Sequence, residues 1–162
     1  MQIGIISDTH DHVINIKKAI GFFKDKGVDM VIHAGDYCSP FTIPHFEGLN
    51  LHGIVGNNDG DRFMLMKKFE EIGATLHGEF ARLEADGLKI AVYHGTYPDI
   101  TTALEKSGLF DVVISGHTHE AKYDTIENTI SINPGSCHGF EGEAIVALLN
   151  TKNRRVSFKE LG

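Results

Sequence analysis

The sequence predicts an α/β protein in which two stacked β-sheets are flanked by helices, and a contrast between its two halves carries that reading. In the first half, short apolar runs alternate with segments of helical periodicity. From Thr75 onward the strands are joined by hairpin signals instead. Helix-connected strands followed by hairpin-rich strands suit two packed sheets better than one doubly wound sheet.

The elements follow in order. Ile3, Ile5 and Ile6 read as a buried strand. Ile16, Ala19, Ile20 and Phe23 fall at the i, i+3, i+4, i+7 spacing of an amphipathic helix, and Gly27 is its expected stop. Met30, Val31 and Ile32 form a second strand running into Gly35-Asp36, and a third, around Ile54-Val55, runs into Gly56-Asn57. Phe63, Met66, Phe69 and Ile72 are the expected buried stripe of another helix, which Gly73 closes. Residues 80–84 and 88–93 flank Asp86-Gly87, a hairpin turn. A short helix is expected over 102–106 and a buried strand over 112–114. Two further hairpins turn near Glu127-Asn128 and Thr151-Lys152-Asn153.

With 162 residues, one domain spanning 1–162 is expected, large enough to bury a core without staples. Cys38 and Cys137 are isolated and outside any C-x-x-C pair, which suits a reducing cytoplasm. The first residues have no basic flank or long apolar region, and no apolar run approaches the ~18 residues of a membrane span. A cytoplasmic protein without membrane contact is the expectation. The net charge of −7 argues against a broad basic face, so stable nucleic-acid binding is not expected. Ten histidines in such a chain draw attention to where each one falls.

Five apolar strands end in metal-ligand residue types: Ser7-Asp8-Thr9-His10, Gly35-Asp36, Gly56-Asn57, Tyr93-His94-Gly95 and Gly116-His117-Thr118-His119. Taken singly, each fragment also fits a loop that hydrogen-bonds its own backbone. Together they point to one site, because ligands in open α/β sheets gather beyond the carboxyl ends of the strands. In extended backbone, Asp8 and His10 would point the same way, as would His117 and His119. Asp8, His10, Asp36, Asn57, His94, His117 and His119 are too many for one tetrahedral ion but suit two divalent ions sharing a carboxylate. Mixed nitrogen and oxygen ligation selects a transition metal, manganese first, with nickel, iron or zinc also accommodated.

Two divalent ions less two carboxylates leave a formal surplus of about two positive charges. That surplus would attract a phosphate ester and favour a metal-bridging hydroxide as nucleophile. A singly charged diester plus hydroxide neutralises it, whereas a doubly charged monoester needs a further cation. Of the four arginines, Arg62 alone follows directly on a ligand loop, and a phosphodiester is therefore preferred.

At these residues the sequence resembles the calcineurin-like metallophosphoesterases, whose pattern runs D-x-H, G-D, G-N-H-D/E, H and G-H-x-H. Here it reads Asp8-Thr9-His10, Gly35-Asp36, Gly56-Asn57-Asn58-Asp59, His94 and Gly116-His117-Thr118-His119. The short length and the G-N-N-D variant look like the small archaeal and bacterial phosphodiesterases. The resemblance implies a four-layer αββα sandwich of two mixed sheets and a dinuclear site. By matching motifs, Asp8, His10, Asp36 and His119 would hold one ion, and Asp36, Asn57, His94 and His117 the other.

Asn58 stands where many family members carry a histidine that protonates the leaving group. Asparagine can hold a phosphate oxygen but cannot deliver a proton at neutral pH. Asn58, Asp59 and His12 are the candidate catalytic residues besides the metal ligands. His12, His33 and His138 are the histidines to inspect as an alternative acid, and unaided departure of the leaving group is the other reading. His45, His52 and His77 read as surface or packing residues, Cys38 and Cys137 as small loop residues, and 133–136 as a turn that could also line the cleft. Two other functions stay open: a phosphomonoesterase for a small metabolite, and a non-catalytic protein-binding scaffold similar to the retromer subunit. A homodimer is compatible with the sequence.

Overall fold

The computed structural model describes residues 1–140 and 142–162. Its first sheet is built on β1 (Gln2–Ile6), β2 (Met30–His33), β3 (Leu51–Gly53) and β4 (Thr75–Leu76), all parallel, with β10 (Ile145–Asn150) and β11 (Arg155–Glu160) added antiparallel, giving the order β11-β10-β1-β2-β3-β4. The second contains β5 (Phe80–Ala85), β6 (Leu88–Tyr93), β7 (Val112–Ile114), β8 (Ala121–Ile126) and β9 (Thr129–Pro134) in the order β5-β6-β7-β9-β8. There β6, β7 and β9 are parallel, and hairpins attach β5 and β8 antiparallel at the edges.

The core sits between the sheets, where Ile3, Ile5 and Ile32 of one meet Ile90, Val92, Ile114 and Ile132 of the other. The outer face of the first sheet is covered by α1 (Val13–Asp25), a 3-10 segment (Pro40–Phe46) and α2 (Arg62–Glu71), through Ile16, Ile20, Phe23, Phe46 and Phe69. α3 (Pro98–Lys106) leans Leu104 on Ala91 and Val113 of the second sheet and on Phe110, which precedes β7. Helix, sheet, sheet and helix make the four-layer αββα sandwich. Among the described residues, no helix is long and apolar enough to cross a membrane.

Three elements differ from the sequence reading. β3 ends at Gly53, and Ile54 and Val55 follow it as buried loop. Their apolar character reflects burial, not ladder pairing. In α2 the buried residues are Leu65 and Phe69, whereas Phe63 is 72% exposed and Met66 44% exposed. A strict three-residue spacing walks about 60° around a 3.6-residue helix at each step, so the 63-66-69-72 series cannot stay on one face. α3 begins at Pro98, which sits in the first turn where its missing N–H costs nothing.

Candidate metal centre

Parallel register brings the carboxyl ends of the central strands level: Ile6 lies beside His33, and His33 beside Gly53. At three of the five strand ends the chain then leaves in strained backbone. Asp8, His10, Asp36, His117 and His119 have φ of 51°, 39°, 61°, 69° and 61°, in the left-handed region. Such residues cost about 1 kcal/mol or more each and persist where surrounding contacts fix them. The i, i+2 pairs are thus not extended, contrary to the sequence reading; left-handed turns aim them instead. Backbone bonds fix those turns: Asp8 N donates to Gly35 O at 3.0 Å, Thr9 N to Asp36 O at 3.0 Å, and Gly116 N to His94 O at 2.8 Å. The second sheet is tied to the first where His117 N donates to Asp8 Oδ2 at 3.0 Å.

Close approach also dictates the glycines. A Cβ on Gly116 would overlap Ser7 Oγ and stand 2.7 Å from Asp8 Oδ2. One on Gly56 would overlap Asp36 Oδ1 and stand 2.6 Å from Asp36 N. Both side chains must be absent for the carboxylates to occupy their places.

Around Asp8 and Asp36 the imidazoles converge. His94 Nε2 is 3.2 Å from Asp36 Oδ2 and 4.0 Å from Asp8 Oδ1; His10 Nε2 is 3.5 Å and 3.7 Å from the same oxygens; His119 Nε2 is 3.4 Å from Asp8 Oδ1. Ligands on bonds of about 2.0–2.2 Å stand roughly 3–3.5 Å apart around an ion, so this spacing fits shared coordination. Asp8 Oδ1, His10 Nε2 and His94 Nε2 are buried without a hydrogen-bond partner. Three orphaned ligand atoms around the two carboxylates are costly unless an ion takes them. His94 is wired for that role, because its Nδ1 lies 2.7 Å from Ala34 O, which holds the proton there and leaves Nε2 bare.

The electrostatics agree. Burial pushes the Asp8 carboxyl up, but the polar groups of His10 and Ser7 beside it and the charge of His94 outweigh it and hold it below the ordinary range. Asp36 is lower still, burial being overcome by His94 and Asn58. The Asp8 carboxylate beside it raises His10 against its own burial. His94, though buried, is raised by Asp36 and Asp8. The cluster attracts positive charge in whatever form it comes.

The other expected ligands lie at the rim: Asn57 is exposed, its Oδ1 accepting from Thr96 Oγ1 at 3.3 Å, and the His117 ring centroid is 5.3 Å from that of His94. Asn58 braces Asp36 with two donors. Asp59 is buried with its oxygens turned to backbone N–H groups of Asp36, Cys38 and Gly56 at 3.0, 2.9 and 2.7 Å, clamping two ligand loops together. His12 caps α1, Nδ1 accepting from Asn15 N at 3.3 Å. His33 is fully buried, stacked on Tyr37, accepting from Gly35 N and facing Thr9 Oγ1. Burial pushes its pKa down to about 3, so it braces the Asp36 loop as a neutral ring.

Two contributors escaped the sequence reading. Asn133, taken as turn, donates from Nδ2 to Gly116 O at 2.7 Å and to Thr118 Oγ1 at 3.1 Å, fixing the G-H-T-H loop. Cys38 Sγ lies 3.4 Å from His10 Nδ1. Its thiol, pushed up to about 11 mainly by burial, stays protonated as a weak partner for that ring. Neither residue carries a motif of its own, and only the fold brings them near the ligand loops.

The sandwich and the cluster at its strand ends together define a metal-dependent phosphoesterase. The profile of the calcineurin-like phosphoesterase superfamily domain matches residues 1–154, and the chain belongs to that superfamily. A phosphodiesterase of Methanocaldococcus jannaschii is 43% identical over 158 residues, 95% of either chain. A solved archaeal phosphodiesterase is 40% identical with a TM-score of 0.95, covering 99% of both chains. Vacuolar protein sorting 29 of Cryptosporidium parvum shares the fold, with a TM-score of 0.62 at 17% identity over 98% of this chain and 96% of its own.

Proposed function

We propose that this protein is a phosphodiesterase in which Asp8, His10, Asp36, Asn57, His94, His117 and His119 hold two divalent ions, with Asp36 shared. The observation that carries the reading is that Asp8 Oδ1, His10 Nε2 and His94 Nε2 are buried without hydrogen-bond partners, each of the two nitrogens lying within 4.0 Å of that oxygen and of Asp36 Oδ2. The donor set of imidazole, carboxylate and amide suits manganese, with nickel, iron or zinc accommodated. Bound ions would supply Lewis-acid polarisation of a phosphoryl oxygen and lower the pKa of water from ~15.7 towards ~7. The protein's own part is to hold the ligand loops rigid through Asp59 and Asn133 and to brace the Asp36 carboxylate through Asn58.

Diester rather than monoester specificity is supported by charge. Arg62, the cation beside the ligand loop, is paired with Glu79 at 2.6 Å, so its charge is already compensated, although its remaining N–H groups are not used by that contact. The archaeal relatives named as phosphodiesterases point the same way. A cytoplasmic protein without stable nucleic-acid partners, folded as one domain over 1–162, is the accompanying reading, supported by two free cysteines and a net charge of −7.

The test is hydrolysis of an aryl diester and an aryl monoester by chelator-stripped protein reloaded with Mn, Ni, Zn or Mg. Metal-dependent turnover with the diester preferred is expected, and Asp36→Ala should hold neither ion by elemental analysis. Faster monoester hydrolysis would overturn the diester reading, and inactivity with every ion would favour the protein-binding scaffold.

A further inference from the structure

Beside the metal centre, at its Asn57 and His94 edge, lies a cavity of about 260 Å³. Besides those two residues its walls include Tyr93, Tyr97, Arg62 and Glu79. We propose that this cavity binds a planar aromatic group carried on one arm of the phosphodiester, stacked on Tyr97 and bounded at its edge by the Arg62–Glu79 pair. The proposal rests on the phosphodiesterase reading and names the substrate class of that site.

Size is the first argument. Pockets for whole drug-sized ligands run from ~300 to ~1,000 Å³, so this cavity suits one arm, a ring with at most a small attachment, and not a whole substrate. Its position is the second. Asn57 and His94 form one wall and Thr96 Oγ1 donates to Asn57 Oδ1, so a group seated here is attached to an ester held at the cluster.

Chemistry is the third argument. Tyr97 is 64% exposed at the mouth, an aromatic face with no packing duty in the core. Its backbone is not loose, however, since Tyr97 N donates to the hydroxyl of Tyr93 at 3.1 Å, which fixes the turn that presents the ring. An exposed aromatic held in place at a site's mouth is a stacking platform, tolerant of any ring because every ring offers a π-face. In the cavity wall, Arg62 Nη1 donates to Glu79 Oε1 at 2.6 Å, which sets a hydrogen-bond donor group beside an acceptor. A nucleobase edge uses both, whereas a simple aryl ring uses only the stacking face.

The test compares wild type with Tyr97→Ala and Tyr97→Phe on three Mn-loaded diester substrates: an aryl methyl ester, a dimethyl ester and a nucleoside aryl ester. Tyr97→Ala is expected to raise KM about tenfold for the aromatic substrates with little change for dimethyl phosphate, and Tyr97→Phe to restore wild-type values. Arg62→Ala should weaken the nucleoside ester but not the aryl methyl ester if a base is the natural arm; equal, small effects would assign a simple aryl arm. Equal loss on aromatic and dimethyl substrates in Tyr97→Ala, or no loss on either, would overturn the proposal. Absence of diester turnover in the wild type would instead remove the function on which it rests, and equilibrium dialysis with a nucleoside monophosphate then reads the cavity alone: binding that Tyr97→Ala leaves unchanged sinks the stacking site.

Discussion

Asn58 donates to both oxygens of Asp36, from its backbone N–H to Oδ1 at 2.9 Å and from its side-chain Nδ2 to Oδ2 at 2.7 Å. The residue that replaces the family's histidine is therefore tied to the carboxylate proposed to bridge two ions. Partners of this kind orient a ligand, and their loss typically weakens metal binding 10–100-fold. Asn58→Ala removes one of the two bonds and is expected to weaken binding of the first ion about tenfold in a chelator competition. Unchanged affinity would show that the backbone bond alone fixes Asp36.

Gly116 is the sharpest steric test of the site. Any side chain there overlaps Ser7 Oγ and crowds Asp8, and the neighbours are a buried loop with no room to retreat. Gly116→Ala is expected to lower stability by roughly 1–3 kcal/mol, as overpacking does, and to reduce metal content. Gly60→Ala, where nothing lies within 4 Å, is the control. Thermal melts and elemental analysis read both, and equal behaviour of the two variants would refute the close-packing account.

Much of this was legible in the chain. The strand ends could be read because each buried strand is a short apolar run followed at once by a chemically distinct residue, as at Ile6-Ser7-Asp8. The hairpins at Asp86-Gly87, Glu127-Asn128 and Asn153 were legible because turn chemistry is local. What was not legible depends on long-range contact. The left-handed backbone of Asp8 and His10 is held by bonds to the Gly35-Asp36 loop, and nothing in D-x-H announces it. Likewise Leu65, not Phe63, is the buried partner of Phe69 because the i, i+4 pair shares a face of α2, and Asn133 reaches Gly116 only once β9 lies beside β7.

The raised and lowered pKa values give the metal-free protein a definite pH profile. Asp8 and Asp36 lie below their ordinary 3.8, so their contribution is present above that pH and is lost as acid protonates them. His10 and His94 lie above their ordinary 6.5, so theirs is complete below pH 6.5 and is lost as pH rises through the folded values. Buried His33, pushed down to about 3, works in the opposite sense and withdraws stability as pH falls below 6.5, so chelator-treated protein should melt highest near pH 6.5, with Tm falling on either side. Saturating manganese should lift the alkaline limb, since the ion takes the place of the departing protons. A metal-free Tm that climbs from pH 6.5 to 9 would contradict this assignment.

His138 tests how the centre chooses its ligands. One nitrogen of His10, of His119 and of His138 lie within 4.8 Å of one another, which taken alone suggests a three-imidazole site. The wiring of the ring argues otherwise. His138 Nδ1 accepts from Phe140 N at 2.8 Å, so the neutral ring carries its proton on Nε2. That is the reverse of His94, whose Nδ1–H is held by Ala34 O and whose Nε2 is bare. For His138 to ligate through Nε2, the proton would have to move to Nδ1 and face the Phe140 N–H, costing about 1–3 kcal/mol for the bond lost. His138→Gln is therefore expected to retain the full ion content, while His119→Ala loses an ion. In metal-free protein labelled with 15N-histidine, nitrogen shifts should report a proton on Nε2 of His138 and on Nδ1 of His94. Loss of an ion in His138→Gln, together with a tautomer switch when manganese's diamagnetic substitute zinc is added, would make His138 a ligand and redraw the centre around three imidazoles.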